Sequence, residues 1–545
     1  MSPSSQNATP GGEAFLEANH GRGSANTCSD SIVETISSEE TLEDVGALET
    51  KLSGRISQMS DPYLARELTS GTGDPEFEVD WESDEDPANP RNWSLAYKSL
   101  MVFFISWNTL IVVLYSTSYT PAVSELTTYF GTSETIMTLG LTFYLLGLAF
   151  GSLVMAPLSE MYGRKPVCVP SLFLFAVLII PCARATSVAE IMVVRFLSAF
   201  FGSVMVSAAP GLVADVVNDE HRSLAISIWS IGPMNGPAGV ALFFACIMRE
   251  TYAPIILQRK AARLRKETGD SRWWSQYDNK MSLFELLKIS LMRPFGMIVS
   301  EPICIFWNLY VGVVYGILYL CFVAYPIVFR EIRGWSLGIS GLGFLGIGIG
   351  IFITIACEPL IRRMVNAHKS DPETGKPPPE AMVSIICISS ILIPVGELWF
   401  AWTCSPKSIH WIVPILAGVP FGAGNTGVFI YSASYLAGSY RIYSASALAA
   451  NSVVRSILGG VMPLAGSPMY SRLDANWAGT LLGLLEVILI PIPFVFWKYG
   501  HKIRMKSPVI MKMEEDERKA KLKRENRWRR QGINVGDSEK QKETV

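Results

Sequence analysis

Residues 135–165 read TIMTLGLTFYLLGLAFGSLVMAPLSEMYGRK. The first 22 of these, 135–156, carry no charge, and as a helix they would run about 33 Å, enough to cross a hydrocarbon core about 30 Å thick. The run then breaks into a polar loop with an acid, a glycine and two bases: Glu160, Gly163, Arg164 and Lys165. An apolar run of bilayer length followed by a short charged turn is the unit of a polytopic helical membrane protein.

The unit recurs along the chain. Spans are expected at about 98–120, 135–156, 166–184, 189–211, 223–248, 300–325, 338–359, 381–402, 411–434, 443–468 and 476–497, which makes eleven. The whole 545-residue sequence is 49% hydrophobic and only 17% charged, with a mean hydropathy of +0.29; a soluble enzyme of this length is not built so. The fold class is therefore all-α and membrane-embedded. No cleavable secretory signal is expected, because the chain opens on a polar tract.

Five regions follow. Residues 1–95 carry 19 acids against five bases and few apolar side chains, so they are expected to be disordered and cytoplasmic. Residues 96–248 form a first transmembrane bundle, 249–297 a basic cytoplasmic linker, 298–498 a second bundle, and 499–545 a basic cytoplasmic tail whose surplus of bases suits anionic lipid better than nucleic acid. Neither end is expected to fold. Within the linker, Met281–Leu291 (MSLFELLKISL) reads as an amphipathic helix on the membrane surface. Cys168, Cys182, Cys246, Cys304, Cys321, Cys357 and Cys387 sit in apolar runs, which favours buried free thiols over disulfides or a metal site.

Charge topology exposes a conflict. Basic loops stay in the cytoplasm, so the Arg164/Lys165 loop, the His221/Arg222 loop and the linker with Arg259, Lys260, Arg263, Arg265 and Lys266 belong on one side. Five crossings before Arg249 put the linker on the other. Either a crossing is missing, or the segment 223–248, with Gly232, Pro233, Gly236, Pro237 and Gly239, enters and leaves on one side as a re-entrant hairpin.

The loop Ala156-Pro157-Leu158-Ser159-Glu160-Met161-Tyr162-Gly163-Arg164-Lys165 resembles the signature loop of the major facilitator superfamily. Val194-Arg195-Phe196-Leu197 with Gly202 is similar to the antiporter motif of its fourth helix, and Gly232-Pro233-Met234-Asn235-Gly236-Pro237 to the Gly-Pro repeat of its fifth. Glu250-Thr251-Tyr252-Ala253-Pro254, Tyr315–Leu320, Ala324–Phe329, Ser444–Asn451 and the upstream Asp86–Ser94 are similar to fungal twelve-spanner drug/proton antiporters over about residues 80–505, with the cercosporin-type toxin exporters most alike. The resemblance implies two bundles, nominally six helices each, and proton-coupled export of amphipathic toxins, drugs or secondary metabolites across the plasma membrane. It also implies a monomer, with protons, a small organic substrate and lipids as partners and no nucleic acid. About 30 residues expected around helices five and six are absent after Pro237, so an internal deletion, and with it a non-functional splice product, stands beside the antiporter reading. A transporter-like receptor or scaffold is the alternative from another class.

The resemblance assigns roles to residues. Glu160 and Arg164 belong to the gating loop, where the acid faces the start of the eleventh helix in the outward-open state. Arg195 is assigned to proton coupling, against the alternative that it snorkels to the nearby surface. Val323 stands where many relatives have an acid. Arg455, deep in its span, should face the bundle interior and hold either an acid or an anionic substrate. Glu486 lies mid-span, where a carboxyl favours its protonated form, and either carries a proton or stays neutral beside a hydrogen-bonding neighbour. Glu301 and Glu358 read as rim residues. Trp307, Asn308, Tyr315, Tyr319, Asn425 and Tyr431 are candidate substrate contacts or else packing groups. Gly232/Gly236 and Gly346/Gly350, each spaced by four, are expected to pack together as close-approach faces. No Gly-rich loop with Lys-Ser or Lys-Thr, no metal-spaced His/Cys set and no nucleophile elbow is visible, so no cofactor and no enzymatic activity is expected.

Overall fold

In a computed structural model, residues 86–207, 249–275, 283–368, 377–440 and 443–515 are described, together with 77, 79, 81 and 518. The first bundle comprises α1 (Leu95–Thr117), the short α2 (Val123–Phe130), α3 (Glu134–Tyr162), α4 (Arg164–Ala183) and α5 (Val188–Ser207). The linker contributes α6 (Ala253–Thr268) and α7 (Leu283–Ser300). The second bundle comprises α8 (Pro302–Pro326), α9 (Leu345–Ala356), α10 (Glu358–Asn366), α11 (Glu380–Cys404), α12 (Ile412–Tyr440), α13 (Ser444–Val461), α14 (Gly466–Leu489) and α15 (Pro491–Arg504).

The local signals explain these boundaries. Ser94 and Ser133 accept the N–H groups of Tyr97 and Ile136, each at 3.4 Å, and so cap α1 and α3. Gly163 turns the chain between α3 and α4 at a φ of 101°, a backbone region that costs a side-chain-bearing residue dearly. Among the described residues, nine segments are long and apolar enough to cross a membrane. The last, Ser444–Arg504, has 61 residues, about 92 Å as one rod and too long for one crossing. It divides near Asp474, whose φ is 58°, into the two spans expected at 443–468 and 476–497. Ten of the eleven expected spans are thus present; the run 223–248 lies outside the described residues.

Two apolar cores hold the bundles. One gathers Met101, Val112, Leu141, Tyr144, Leu148, Phe175 and Ala199 from α1, α3, α4 and α5, and takes in Tyr319 from α8. The other is centred on Trp307, Tyr325, Phe400, Phe421 and Tyr435 of α8, α11 and α12. Between the halves, α3 packs along α13. Gly147 lies against Phe196 and Ala199, and Gly151 against Phe200 and Ser203, so α3 and α5 run parallel and Ser207 sits at the Gly163 end. Arg249 sits there too: its N–H donates to the Tyr97 hydroxyl at the start of α1. The basic linker thus starts at the Gly163 end, the side on which the basic-loop argument puts it.

Four further expectations are corrected. The gly-rich face of α9 is taken by α12: a Cβ at Gly346 would overlap the Ile415 carbonyl, and one at Gly350 the Val419 carbonyl. Gly232 and Gly236 lie outside the described residues. The tail does not begin as loose chain, since Ser507, Ile510 and Met513 are buried against the second bundle. Apolar residues spaced by three on one helical turn give that stretch a face to bury. The end of the acidic tract is also docked. Val79 N–H donates to the Trp274 carbonyl at 2.8 Å, Trp274 N–H to the Phe77 carbonyl at 3.0 Å, and Arg272 lies 4.0 Å over the Phe77 ring. The aromatic side chains in this otherwise acidic stretch supply the apolar surface that the rest lacks. From Leu283 onward the expected amphipathic segment is part of α7, which packs against α13 and α3.

The polar chain between the bundles and the candidate transport site

Arg195 is 2% exposed and does not snorkel. Its Nε donates to the Gly140 carbonyl at 2.9 Å, and one terminal nitrogen donates to the carbonyls of Ser116 at 3.1 Å and Tyr115 at 3.4 Å. The guanidinium also lies 4.2 Å over Tyr119, 5.0 Å over Tyr144 and 5.1 Å over Tyr115. Carbonyl dipoles and ring faces together replace the water that burial removes. The arginine thereby pins the end of α1 to α3 and α5.

Ser116 carries the chain of contacts across the interface. Its hydroxyl lies 3.1 Å from the Tyr319 hydroxyl on α8, and the Tyr315 hydroxyl donates to Tyr319 at 3.2 Å. Tyr315 and Tyr319, four residues apart, share one helical face. Tyr315 then lies under Arg455 of α13, at 4.9 Å from the guanidinium carbon, with Phe429 of α12 at 4.8 Å on the same group. Gly459, one turn beyond Arg455, leaves room for the Tyr315 ring, since a Cβ there would meet it at 2.9 Å.

Among the described residues Arg455 has no ion pair, and its buried Nε has no hydrogen-bond partner. No acid holds it. One turn earlier, Asn451 donates to Asn308 at 3.1 Å, leaving the Asn308 amide nitrogen unpartnered. The neighbouring contacts between the halves are Thr142 to the Gly460 carbonyl at 2.7 Å, Ser152 with Ser452 at 3.4 Å, and Ser467 to Glu134 at 2.6 Å.

The remaining candidates divide. Trp307 is fully buried among Tyr310, Tyr435 and Phe496 inside the second bundle. Asn425 returns its amide to the Phe421 carbonyl of its own helix at 3.0 Å, and Tyr431 is buried farther along α12. Glu486 is 4% exposed and neither carboxyl oxygen has a partner among the described residues. No neighbour holds it by a hydrogen bond. Glu397 of α11 is 1% exposed and meets the Cys321 thiol at 3.8 Å. Glu397 obeys the criterion that selects Glu486, an acid inside an apolar run, and sequence reasoning passed over it.

At the Gly163 end, Glu160 pairs with Arg164 at 3.6 Å, and Arg164 donates to Ser159 at 2.8 Å. Sequence reasoning also missed Glu250. Its carboxylate accepts the N–H groups of Arg164 at 2.8 Å and Lys165 at 3.3 Å, capping the positive start of α4. Arg164 further lies 5.0 Å over the Tyr252 ring, so the linker is fastened to the signature loop. Glu301 and Glu358 are not exposed rim residues, being 1% and 4% exposed. Glu301 accepts from Ser507 at 2.6 Å and Tyr440 at 3.1 Å.

Comparison with known proteins places this architecture. The sequence model described as Major Facilitator Superfamily matches residues 105–248. The chain is 36% identical over 463 residues to the ascochitine biosynthesis cluster MFS transporter of Didymella fabae, covering 79% of this chain and 88% of that one. It is also 36% identical over 481 residues to the multidrug transporter mdrA of Aspergillus fumigatus, covering 83% and 78%. Among solved structures, the proton:xylose symporter XylE aligns with a TM-score of 0.53 at 14% identity, over 75% of this chain and 96% of that one, a likeness of fold. The chain is a multi-pass membrane transporter, not an enzyme, and belongs to the major facilitator superfamily.

Proposed function

We propose that this protein is a proton-coupled antiporter that exports amphipathic drugs, toxins or secondary metabolites, with both termini and the 249–297 linker in the cytoplasm of a cell whose plasma membrane it spans. The observation that carries the reading is the buried chain from Arg195 through Ser116, Tyr319 and Tyr315 to Arg455, which joins the two bundles at the level where alternating access needs a breakable contact. The names of the relatives, a multidrug transporter and a biosynthesis-cluster transporter, support small organic cargo.

In this scheme Arg455 and its aromatic neighbours take the substrate, with Asn308 as a further polar handle. Glu486, buried mid-span with no hydrogen-bond partner for its carboxyl among the described residues, carries the proton. Arg195 ties three helices into one rigid rocker, and the Glu160–Arg164 loop with Glu250 latches its cytoplasmic end. Rocking of the bundles then exposes the midplane site to each side in turn. The missing stretch after Pro237 is part of the proposal: an internal deletion of about 30 residues relative to the resembling antiporters weakens the first bundle.

The test is flux in proteoliposomes with an imposed pH gradient. Export that rises with the gradient and collapses with a protonophore is expected. Substrate binding without gradient-dependent flux would instead make the chain a receptor.

A further inference from the structure

An arginine side chain inside a membrane bundle needs a counter-group, because its charge stays on at any accessible pH. Arg195 has its counter-groups in three carbonyls. Arg455 does not. It is 8% exposed, and among the described residues no carboxylate, carbonyl or hydroxyl accepts from it. Its only partners are the ring faces of Tyr315 and Phe429, at 4.9 and 4.8 Å. Ring faces shield the charge but accept no N–H hydrogen bond of ordinary strength, which leaves the buried Nε without an acceptor.

The surroundings show what would complete it. Arg455 lies on the face of α13 that meets the other bundle: Ser452 one turn before it touches Ser152, and Gly459 one turn after it faces Tyr315 and Leu145. Anything bound there lies between the halves. The guanidinium is a flat fork of donors that matches a carboxylate in two-point contact, the flanking rings suit a planar apolar body, and the unpartnered Asn308 amide adds a donor one turn away.

We infer that Arg455, held between Tyr315 and Phe429, is the binding site for the anionic group of a planar aromatic acid, so that the preferred cargo is an organic anion. This deepens the efflux reading and rests on it only in naming the ligand as cargo. The bound anion supplies the acceptors that the protein withholds. A neutral molecule of the same shape would leave the guanidinium unpaired.

The experiment compares 2-naphthoate with 2-naphthamide, equal in ring size and different in charge, on the purified full-length chain in nanodiscs at pH 7. Calorimetric titration is expected to give naphthoate at least tenfold the affinity of naphthamide. Arg455→Met is expected to bring the ratio close to one by weakening naphthoate alone; Arg455→Lys keeps the charge but loses the fork, and is expected to weaken naphthoate several-fold. Equal affinities for the two probes in the unmodified chain, absence of naphthoate binding, or an unchanged ratio in Arg455→Lys would each overturn the inference, and the last reading stands even where Arg455→Met does not fold. Naphthoate preference without gradient-driven flux would sink the efflux reading alone. Flux of naphthamide with no preference between the probes would sink the anion site alone.

Discussion

Ser116 and Tyr319 meet side chain to side chain at 3.1 Å across the two bundles, while the Ser116 carbonyl accepts from Arg195, also at 3.1 Å. One small residue at the end of α1 thus receives a charge on its backbone and, with its own hydroxyl proton given to the Val113 carbonyl, accepts a hydrogen bond from the other half. The contact is neutral and, at 3.1 Å between two oxygens, long for its kind, which suits a joint that must break in every transport cycle. An ion pair at the same place would hold too tightly.

Tyr319→Phe and Ser116→Ala are each expected to lower the stability of the arrangement described here by about 1 kcal/mol. The double variant should lose less than the sum of the two, because both remove the Ser116–Tyr319 bond while Tyr319→Phe also takes the acceptor from Tyr315. Thermal unfolding of the four proteins in one detergent checks this, and additive losses would show that the two hydroxyls act separately.

Arg195→Lys is expected to abolish export while leaving membrane insertion intact. An ammonium group is a compact point charge and cannot reach the Gly140, Ser116 and Tyr115 carbonyls from one plane. Arg195→Ala would strip three acceptors of their donor and is expected to cost about 2–4 kcal/mol of stability as well. Export at matched surface expression, with melting temperatures alongside, separates the two effects. Full export by Arg195→Lys would remove the arginine from the coupling scheme.

Burial pushes the Glu301 carboxyl above its ordinary pKa, although the donors Ser507 and Tyr440 pull the other way. For an acid with a raised folded pKa, the folded state binds the proton more tightly than the unfolded one. Its contribution is complete below the ordinary carboxyl pKa of about 4.3 and is lost as pH rises through the folded value. Stability of the second bundle and of the docked 507–513 stretch should therefore fall as pH rises across that window, and Glu301→Gln should flatten the dependence. A melting temperature with the same pH slope in both proteins would place the titration elsewhere.

The spans were legible because each is an apolar run of bilayer length, and ten of them are present where hydropathy puts them. The arginines were legible too, since a charge inside such a run must face protein. Partnership was not. Nothing in the local pattern around Arg455 says that Tyr315 and Phe429, 140 and 26 residues away, supply ring faces in place of an acid. Ser116 looks like any hydroxyl at the end of a helix, and Glu250 like one acid in a basic linker, until the fold brings them to Tyr319 and the start of α4. The glycine spacing at Gly346/Gly350 identified a close-approach face correctly but could not name α12 as the helix that fills it.

That face offers a paired test. Gly350→Ala drives a methyl group into the Val419 carbonyl and the Ala423 backbone, and is expected to cost about 3 kcal/mol by overpacking. Gly348 lies on the same helix with nothing within 4 Å, so Gly348→Ala should be neutral. Equal behaviour of the two variants in thermal unfolding would mean that α9 and α12 do not meet as described.

The side of the linker decides whether the chain can work as it stands. Glu250 caps α4 at Arg164, Arg259 donates to the Tyr162 carbonyl at 3.1 Å, and α6 therefore lies at the Gly163 end of the first bundle. Ser207 lies at that end as well, so the 41 residues between it and Arg249 must begin and finish on one side. A protease site at Thr268 is expected to be cut from the same side as one placed beside Lys165, and a site at Gly334 from the other. An odd helix count would remove the three-plus-three repeat of the first bundle, and the lack of a sixth helix would remove one wall of the transport cavity. Restoring about 30 apolar residues near Pro237 is therefore expected to raise export well above that of the 545-residue chain. Robust gradient-driven export by the unrestored chain, with Thr268 on the Lys165 side, would instead show that the chain works as it stands, and the deletion would carry no functional consequence.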